Sequence, residues 1–336
     1  MSQDHPFSEY LRILGKGPKS RRALTTEEAE QALAMVLAGK VTDKQLGAFL
    51  LLMRANGETP AELIGFVKGA RNALGIDTDS AKTGLIDLDW SSYAGKWRYP
   101  PYYLLAIKLL VQNGFKICLH GDEGQFANRH YSQAFIESLG GYIATSREDA
   151  KQRIAQGELV YLPLSVFGEE FKALLHLKEE LGVRTVFNTV VKLLNPLNAR
   201  CAVQGIFHKG VENLHHCAAA TAGIDRNMVF KGEGGEAEIR PDALSNLFFS
   251  DFTKPTDNPA NSEIEKVAFK AISERQRRPQ EWHTSHIVHL WDGAVEDDYG
   301  VSAVIASAAS ALMLIKHLSI EAALAEATLY WQQRNL

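Results

Sequence analysis

Four stretches of this sequence hold side chains able to do chemistry. Arg12, Lys16, Lys19, Arg21 and Arg22 form a run without an acid, loosened by Gly15, Gly17 and Pro18. Mobile cations of this kind suit phosphates, because each contact releases a counterion; the same run also reads as a solvated turn. Residues 172–209 hold Lys172, Lys178, Arg184, Lys192, Arg200 and Lys209 against Glu179 and Glu180, with Arg184 read as structural. Residues 266–278 add Lys266, Lys270, Arg275, Arg277 and Arg278 against Glu274, a run that also reads as a solvated helix end. Lys96-Trp97-Arg98-Tyr99, followed by Tyr102 and Tyr103, interleaves cations with rings, which suits base stacking or, equally, a buried helix start. His283, His286 and His289 repeat every third residue, and the spacing is read as a poor three-ligand metal site. His215-His216 is read as one buried and one exposed imidazole. The chain has no GxSxG, HExxH or Walker loop, and its three cysteines form no CxxC.

The elements that must position these groups change character along the chain. Thr25–Glu28, Thr42–Gln45 and Thr59–Glu62 are capping boxes, the last with Pro60 at the first helical position. With a helix expected over Phe7–Leu14, they predict a small helical unit over residues 1–72. Residues 73–83 read as a linker. From 84 to 336, short apolar runs such as Leu85–Leu88, Phe115–Leu119, Leu159–Leu162 and Met228–Phe230 alternate with helical stretches. That is the βαβ pattern of a mostly parallel sheet. The 336 residues carry a net charge of −4, which excludes a uniformly basic coat but leaves room for a local basic groove. No membrane span and no leader are expected, and sparse cysteines fit a reducing cytoplasm.

The stretch Glu180-Leu-Gly-Val-Arg-Thr-Val-Phe-Asn188, followed by Leu194-Asn-Pro-Leu197, is similar to the signature ELGxRTxFNxxGPLxNP. With the helical unit and the element order, it resembles the anthranilate phosphoribosyltransferase-like family, glycosyltransferase family 3. The resemblance implies an α/β fold of the nucleoside phosphorylase type with a helical dimerisation domain. Helices near 168–198 would pack back onto that domain. The family's Gly-Thr-Gly-Gly-Asp phosphate loop falls on Asp89-Trp-Ser91-Ser92-Tyr-Ala-Gly95, which keeps one glycine. Its Lys-His-Gly-Asn turn falls on Leu119-His120-Gly121-Asp122, where the cation is lost. Its Mg²⁺-holding Gly-Leu-Asp-Glu turn falls on Gly235-Glu236-Ala237-Glu238, with Glu233 nearby. The arginine that meets the aromatic acid falls near Lys172.

Three losses together point to a degenerate phosphoribosyl pyrophosphate site with no catalytic residues and no cofactor. They resemble the divergent branch of the family that binds nucleic acid as dimers. The expectation is a cytoplasmic homodimer binding DNA or RNA largely without regard to sequence. Its contacts would be Lys16, Lys19, Arg21, Arg22, Lys96, Arg98, Lys172, Lys192, Arg275, Arg277 and Arg278. The alternative is a phosphoribosyl or other glycosyl transferase acting on an unknown acceptor, with Mg²⁺ on Glu233 and Glu238. A third reading is a pure assembly protein using the N-terminal helices.

Overall fold

The computed structural model describes residues 4–76, 85–254, 262–277, 279 and 281–335. Of the expected linker, only residues 73–76 are described, and Arg278 lies outside the described residues.

Four helices open the chain: α1 (Ser8–Gly15), α2 (Thr26–Leu37), α3 (Asp43–Asn56) and α4 (Pro60–Ala73). All three capping boxes close reciprocally, each threonine accepting from the backbone N–H three residues on while that residue's side chain accepts from the threonine N–H. Each such cap stabilises its helix by about 1 kcal/mol. Glu62 does a second job: its Oε1 accepts from the Leu24 N–H at 2.9 Å, which anchors the end of the basic run to the start of α4.

The sheet has eight strands in the order β3-β4-β2-β1-β5-β6-β7-β8. Six are parallel: β1 (Leu88–Ser92), β2 (Ile117–Gly121), β3 (Tyr142–Ile143), β4 (Val160–Pro163), β5 (Cys201–Ile206) and β6 (Arg226–Lys231). Two antiparallel strands, β7 (Ser245–Asp251) and β8 (Ile264–Phe269), extend one edge. The first strand is therefore Leu88–Ser92, three residues later than the apolar run Leu85–Leu88 indicates. The basic run 266–278 begins as an edge strand, not as a helix end.

Side chains alternate across the sheet, and the two faces meet different cores. Cys201 and Val203 face α5 (Tyr103–Gln112), α14 (Asp298–Lys316) and α15 (Ile320–Gln332). Ala202 faces the helical unit. By length and composition α14 is apolar enough to cross a membrane, but most of it is buried against the sheet and its neighbouring helices.

The expected stretch 171–181 breaks into α9 (Glu169–His176) and α10 (Lys178–Leu181). Phe171 and Phe187, the latter opening α11 (Phe187–Val190), share one core with Phe49 and Phe66. The buried Arg71 of α4 reinforces this joint. Its guanidinium donates to the carbonyls of Leu194 and Asn195 and to Asn198 Oδ1. Asn195 and Asn198 sit at φ 43° and 55°, the left-handed region that asparagine tolerates better than most residues. The Leu194-Asn-Pro-Leu-Asn turn is thus the buckle between helices and sheet. His215 and His216, on α12 (Glu212–Ala219), are both buried, not one in and one out.

Candidate anion-binding cleft

The turns after β1 and β6 close on each other. In the first, the Ala94 N–H donates to Glu236 Oε1 at 2.6 Å and the Gly95 N–H donates to the same oxygen. Gly95 has φ 68°, and a Cβ there would press Arg129 and Tyr131. Adjacent N–H groups of this kind make an anion cradle; here a carboxylate of the chain lies in it. Lys96, fully buried, extends its ammonium to Glu233 Oε2 at 3.2 Å and to Glu238. Glu233 also accepts from the Arg98 N–H, and Glu238 from the Tyr103 N–H at the start of α5. Burial alone would depress the Lys96 ammonium, but Glu238 and Glu233 outweigh it and raise its pKa. Burial, with Glu233 adding repulsion against the pull of Lys96, holds Glu238 up to about 7.

A family-type site would put Mg²⁺ on these carboxylates and a diphosphate on these N–H groups. The residues present do not fit that pair. The ammonium of Lys96 stands where the divalent charge would be needed, and Glu236 stands where the anion would lie. Ser92, His120 and Asp122 of the expected phosphate site are also spent on protein contacts. Ser92 Oγ lies 2.9 Å from Tyr103 OH and 2.6 Å from Ser132 Oγ. Ser91 and Leu119 are buried. His120 bridges Asp89, at 3.1 Å, and Tyr93 OH, at 2.7 Å. A Cβ on Gly121 would strike the Ser92 carbonyl. Asp122 pairs with His176 Nε2 at 2.6 Å.

Beside this closed site lies an open one. A cleft leads from a hollow lined by Trp97, Phe126 and Arg129 into one of about 380 Å³ between the end of α3, the loop after β2, the 178–192 segment and the loop after β5. Arg54, Lys178, Arg184 and Lys192 line it, with Phe126, Phe207 and Tyr93. Cations and rings alternate along its wall. The Arg129 guanidinium is 5.3 Å from the Trp97 ring and 4.2 Å from Phe126. Arg184 is 5.4 Å from Phe126 and 4.8 Å from Phe207. Lys178 lies 4.1 Å from Phe126, and Arg98 5.0 Å from Trp97. Burial first, then the charges of Arg129 and Arg54, depress the Arg184 pKa, the mark of a crowded positive region. Arginine stays charged under such pressure.

The cations expected to bind divide. Lys16, Lys19 and Arg21 are exposed. Arg22 is exposed too, but it forms a two-armed pair with Glu28, both N···O distances 2.6 Å. Their loop is tied at both ends to the α3–α4 region: Leu14 accepts from Asn56 at the end of α3 and Leu24 donates to Glu62 near the start of α4, while Arg54 of α3 and Glu58 of the connection line the cleft. Arg98 is exposed, Lys172 half-buried and Arg275 exposed. Arg277 lines a separate hollow with Trp282 and all three histidines 283, 286 and 289, which thus face one space. His286 in that hollow bonds Asp297 at 2.8 Å. Two of the expected cations are buried. Lys96 is locked between carboxylates, and Lys192 spends its ammonium on the carbonyls of Gly205, at 2.6 Å, and Gly235, at 2.7 Å. Burial brings Lys192 down to about 8. Lys96 is closed to a polyanion, and Lys192 reaches the cleft only from its buried wall, with one N–H left over. Sequence reasoning misses Arg54, Phe126, Arg129 and Phe207, and it reads Arg184 as structural. Phe126 and Phe207 lie in the loops after β2 and β5, where parallel sheets carry ligands, and that position is the available signal.

A helical bundle joined to a parallel sheet, with strand-end turns converging on one cleft, defines a transferase-type architecture. Family models agree on both parts: a glycosyl transferase family helical bundle domain over residues 8–74 and its a/b domain over residues 107–329. The chain belongs to this family, in its anthranilate phosphoribosyltransferase-like form. It is 28% identical over 220 residues to the anthranilate phosphoribosyltransferase of Metallosphaera sedula, covering 65% of this chain and 62% of that one. It is 30% identical over 231 residues to that of Sulfurisphaera tokodaii, covering 68% and 64%. The aligned part thus spans about three fifths of these relatives' length. The Thermus thermophilus anthranilate phosphoribosyltransferase structure superposes with a TM-score of 0.71 at 21% identity, covering 98% of each chain. The likeness carries the transferase alternative further than the nucleic-acid-binding branch, which none of these relatives represents.

Proposed function

We propose that this chain is a homodimer that binds nucleic acid, largely without regard to sequence, and does not transfer phosphoribosyl groups from a Mg²⁺–diphosphate donor. One observation carries the reading: the alternating cations and rings from Trp97 through Arg129, Phe126 and Arg184 to Phe207. Rings accept any base by stacking, and cations follow a phosphate backbone without reading it. The exposed basic loop tied to the α3–α4 region adds Lys16, Lys19 and Arg21. The exposed Leu51, with half-buried Leu46 and Leu52, supports self-association through the helical unit.

The test joins sedimentation to a salt titration of oligonucleotide binding. The protein should sediment as a dimer at micromolar concentration and bind unrelated sequences with similar affinity. Replacing Lys16, Lys19, Arg21 and Arg22 by alanine should weaken binding at low salt. It should also flatten the slope of log affinity against log salt by about 0.7–0.9 for each phosphate no longer neutralised. Absence of binding by the wild type at low salt would remove the reading.

The transferase reading is favoured by one observation, the activity that the relatives' names carry. Titration with phosphoribosyl pyrophosphate and Mg²⁺ should give no binding, and addition of anthranilate no turnover. Turnover would restore the transferase reading in place of the first.

A further inference from the structure

We propose that the inner end of the cleft is a pocket for the terminal phosphomonoester of a nucleotide, so that a strand is held by its phosphorylated end. The proposal rests on the nucleic-acid reading and adds the part of the ligand that enters first.

The cleft is two hollows in series. The outer one, about 480 Å³, is lined by Trp97, Phe126, Arg129 and Lys178. The inner one, about 380 Å³, shares Gln125, Phe126 and Lys178 with it and is floored by Tyr93, Thr185, Lys192 and Gly205. Two polar groups on that floor keep unmatched hydrogen-bonding capacity. Thr185 is 4% exposed, and its Oγ1 has no hydrogen-bond partner. Burial of an unpaired hydroxyl costs energy unless a ligand meets it. The Lys192 ammonium has three N–H groups, and the Gly205 and Gly235 carbonyls take two.

Charge selects the group that belongs there. Arg54, Lys178, Arg184 and Lys192 line the inner hollow against one carboxylate, Glu58. Glu236 lies behind the floor, with one oxygen turned to the Ala94 and Gly95 N–H groups. A phosphodiester brings one negative charge and must leave the pocket in two directions. A phosphomonoester brings close to two charges and three acceptor oxygens, and it ends the chain. A floored pocket with surplus cations, an unspent N–H and an unpartnered hydroxyl matches the second group. The nucleoside behind it then lies against Phe126, and the next base against Trp97.

The test compares short oligonucleotides of one sequence with a 5′-phosphate, a 3′-phosphate or hydroxyl ends, with adenosine monophosphate and inorganic phosphate as competitors. One phosphorylated end should bind at least about tenfold tighter than the hydroxyl-ended strand, about 1.4 kcal/mol. The mononucleotide should erase that advantage more effectively than inorganic phosphate. The exposed Arg54→Ala should reduce the difference without risk to the fold, and Arg184→Ala should abolish it while also weakening hydroxyl-ended binding, because Arg184 stands in the cation–ring series as well. Equal affinity for all three strands in the wild type would overturn the end pocket and leave the nucleic-acid reading standing. Adenosine monophosphate bound in an Arg184-dependent way, with no strand bound, would uphold the pocket and overturn the strand. Binding of neither would overturn both.

Discussion

Lys96→Met should destabilise the protein by roughly 3–5 kcal/mol, the cost of breaking a buried ion pair from one side. The ammonium is fully buried between Glu233 and Glu238, and methionine keeps its length but not its charge. Two carboxylates would then lie buried beside each other without a counter-charge. They would recover partly by taking up a proton. A carboxylate whose folded pKa is raised loses stability as pH rises, so the deficit should be larger at pH 8 than at pH 6. Urea unfolding at those two pH values measures it. Adding Glu238→Gln to the same chain should return a large part of the loss, because the repelling pair is gone. A single variant within about 1 kcal/mol of the wild type at both pH values would show that Lys96 is not the counter-charge described.

The second large effect is acid lability. His215 Nδ1 lies 2.8 Å from Gln204 Oε1, Gln204 Nε2 donates to Asn227 Oδ1 at 3.1 Å, and Asn227 Nδ2 reaches His216 Nδ1 at 3.2 Å. This buried run of side chains links β5, β6 and α12. Burial, with Lys192 adding repulsion, brings His215 down to about 3, and burial brings His216 down to about 4. Both imidazoles titrate near 6.5 when unfolded. Between those values the unfolded chain binds more protons, so the stability is whole above pH 6.5 and falls as pH drops. At pH 5 the pair should cost about 4 kcal/mol relative to pH 7. Replacing both by glutamine should remove most of that pH dependence in urea unfolding, whatever it does to absolute stability. A wild-type stability unchanged between pH 7 and 5 would refute the buried neutral pair.

The helical unit is legible in the sequence because a capping box is a local device, complete within four residues. The parallel sheet is legible from alternating runs, although β1 begins three residues late, since the Leu85–Leu88 run is apolar without being the paired segment. The fates of individual cations are not legible. Lys96 and Lys192 look like any basic residues until the chain returns from a distance with Glu233, Glu238 or a carbonyl pair. Whether a lysine meets water or a carboxylate is decided by sequence-distant folding, not by its neighbours. The losses in the phosphate motifs can be read residue by residue. The side chains that take over those positions cannot. The three histidines line one hollow but form no metal-holding group among the described residues, in keeping with their spacing, and α13 (Ser285–Trp291) begins only after His283.

The Lys96–Glu233–Glu238 cluster and the Glu236 cradle also bear on what one-step mutation can reach. Removing Lys96 first strands two buried carboxylates, whereas removing one carboxylate leaves the ammonium paired with the other. The first intermediate sits several kcal/mol below its parent, against a total stability of only about 5–15 kcal/mol for a typical protein. A donor site dependent on metal could be rebuilt here only through such an intermediate or by simultaneous changes in turns far apart in the chain. A cluster that carries its own cation and its own anion is therefore harder to change one residue at a time than the cleft beside it, where Arg54 is exposed.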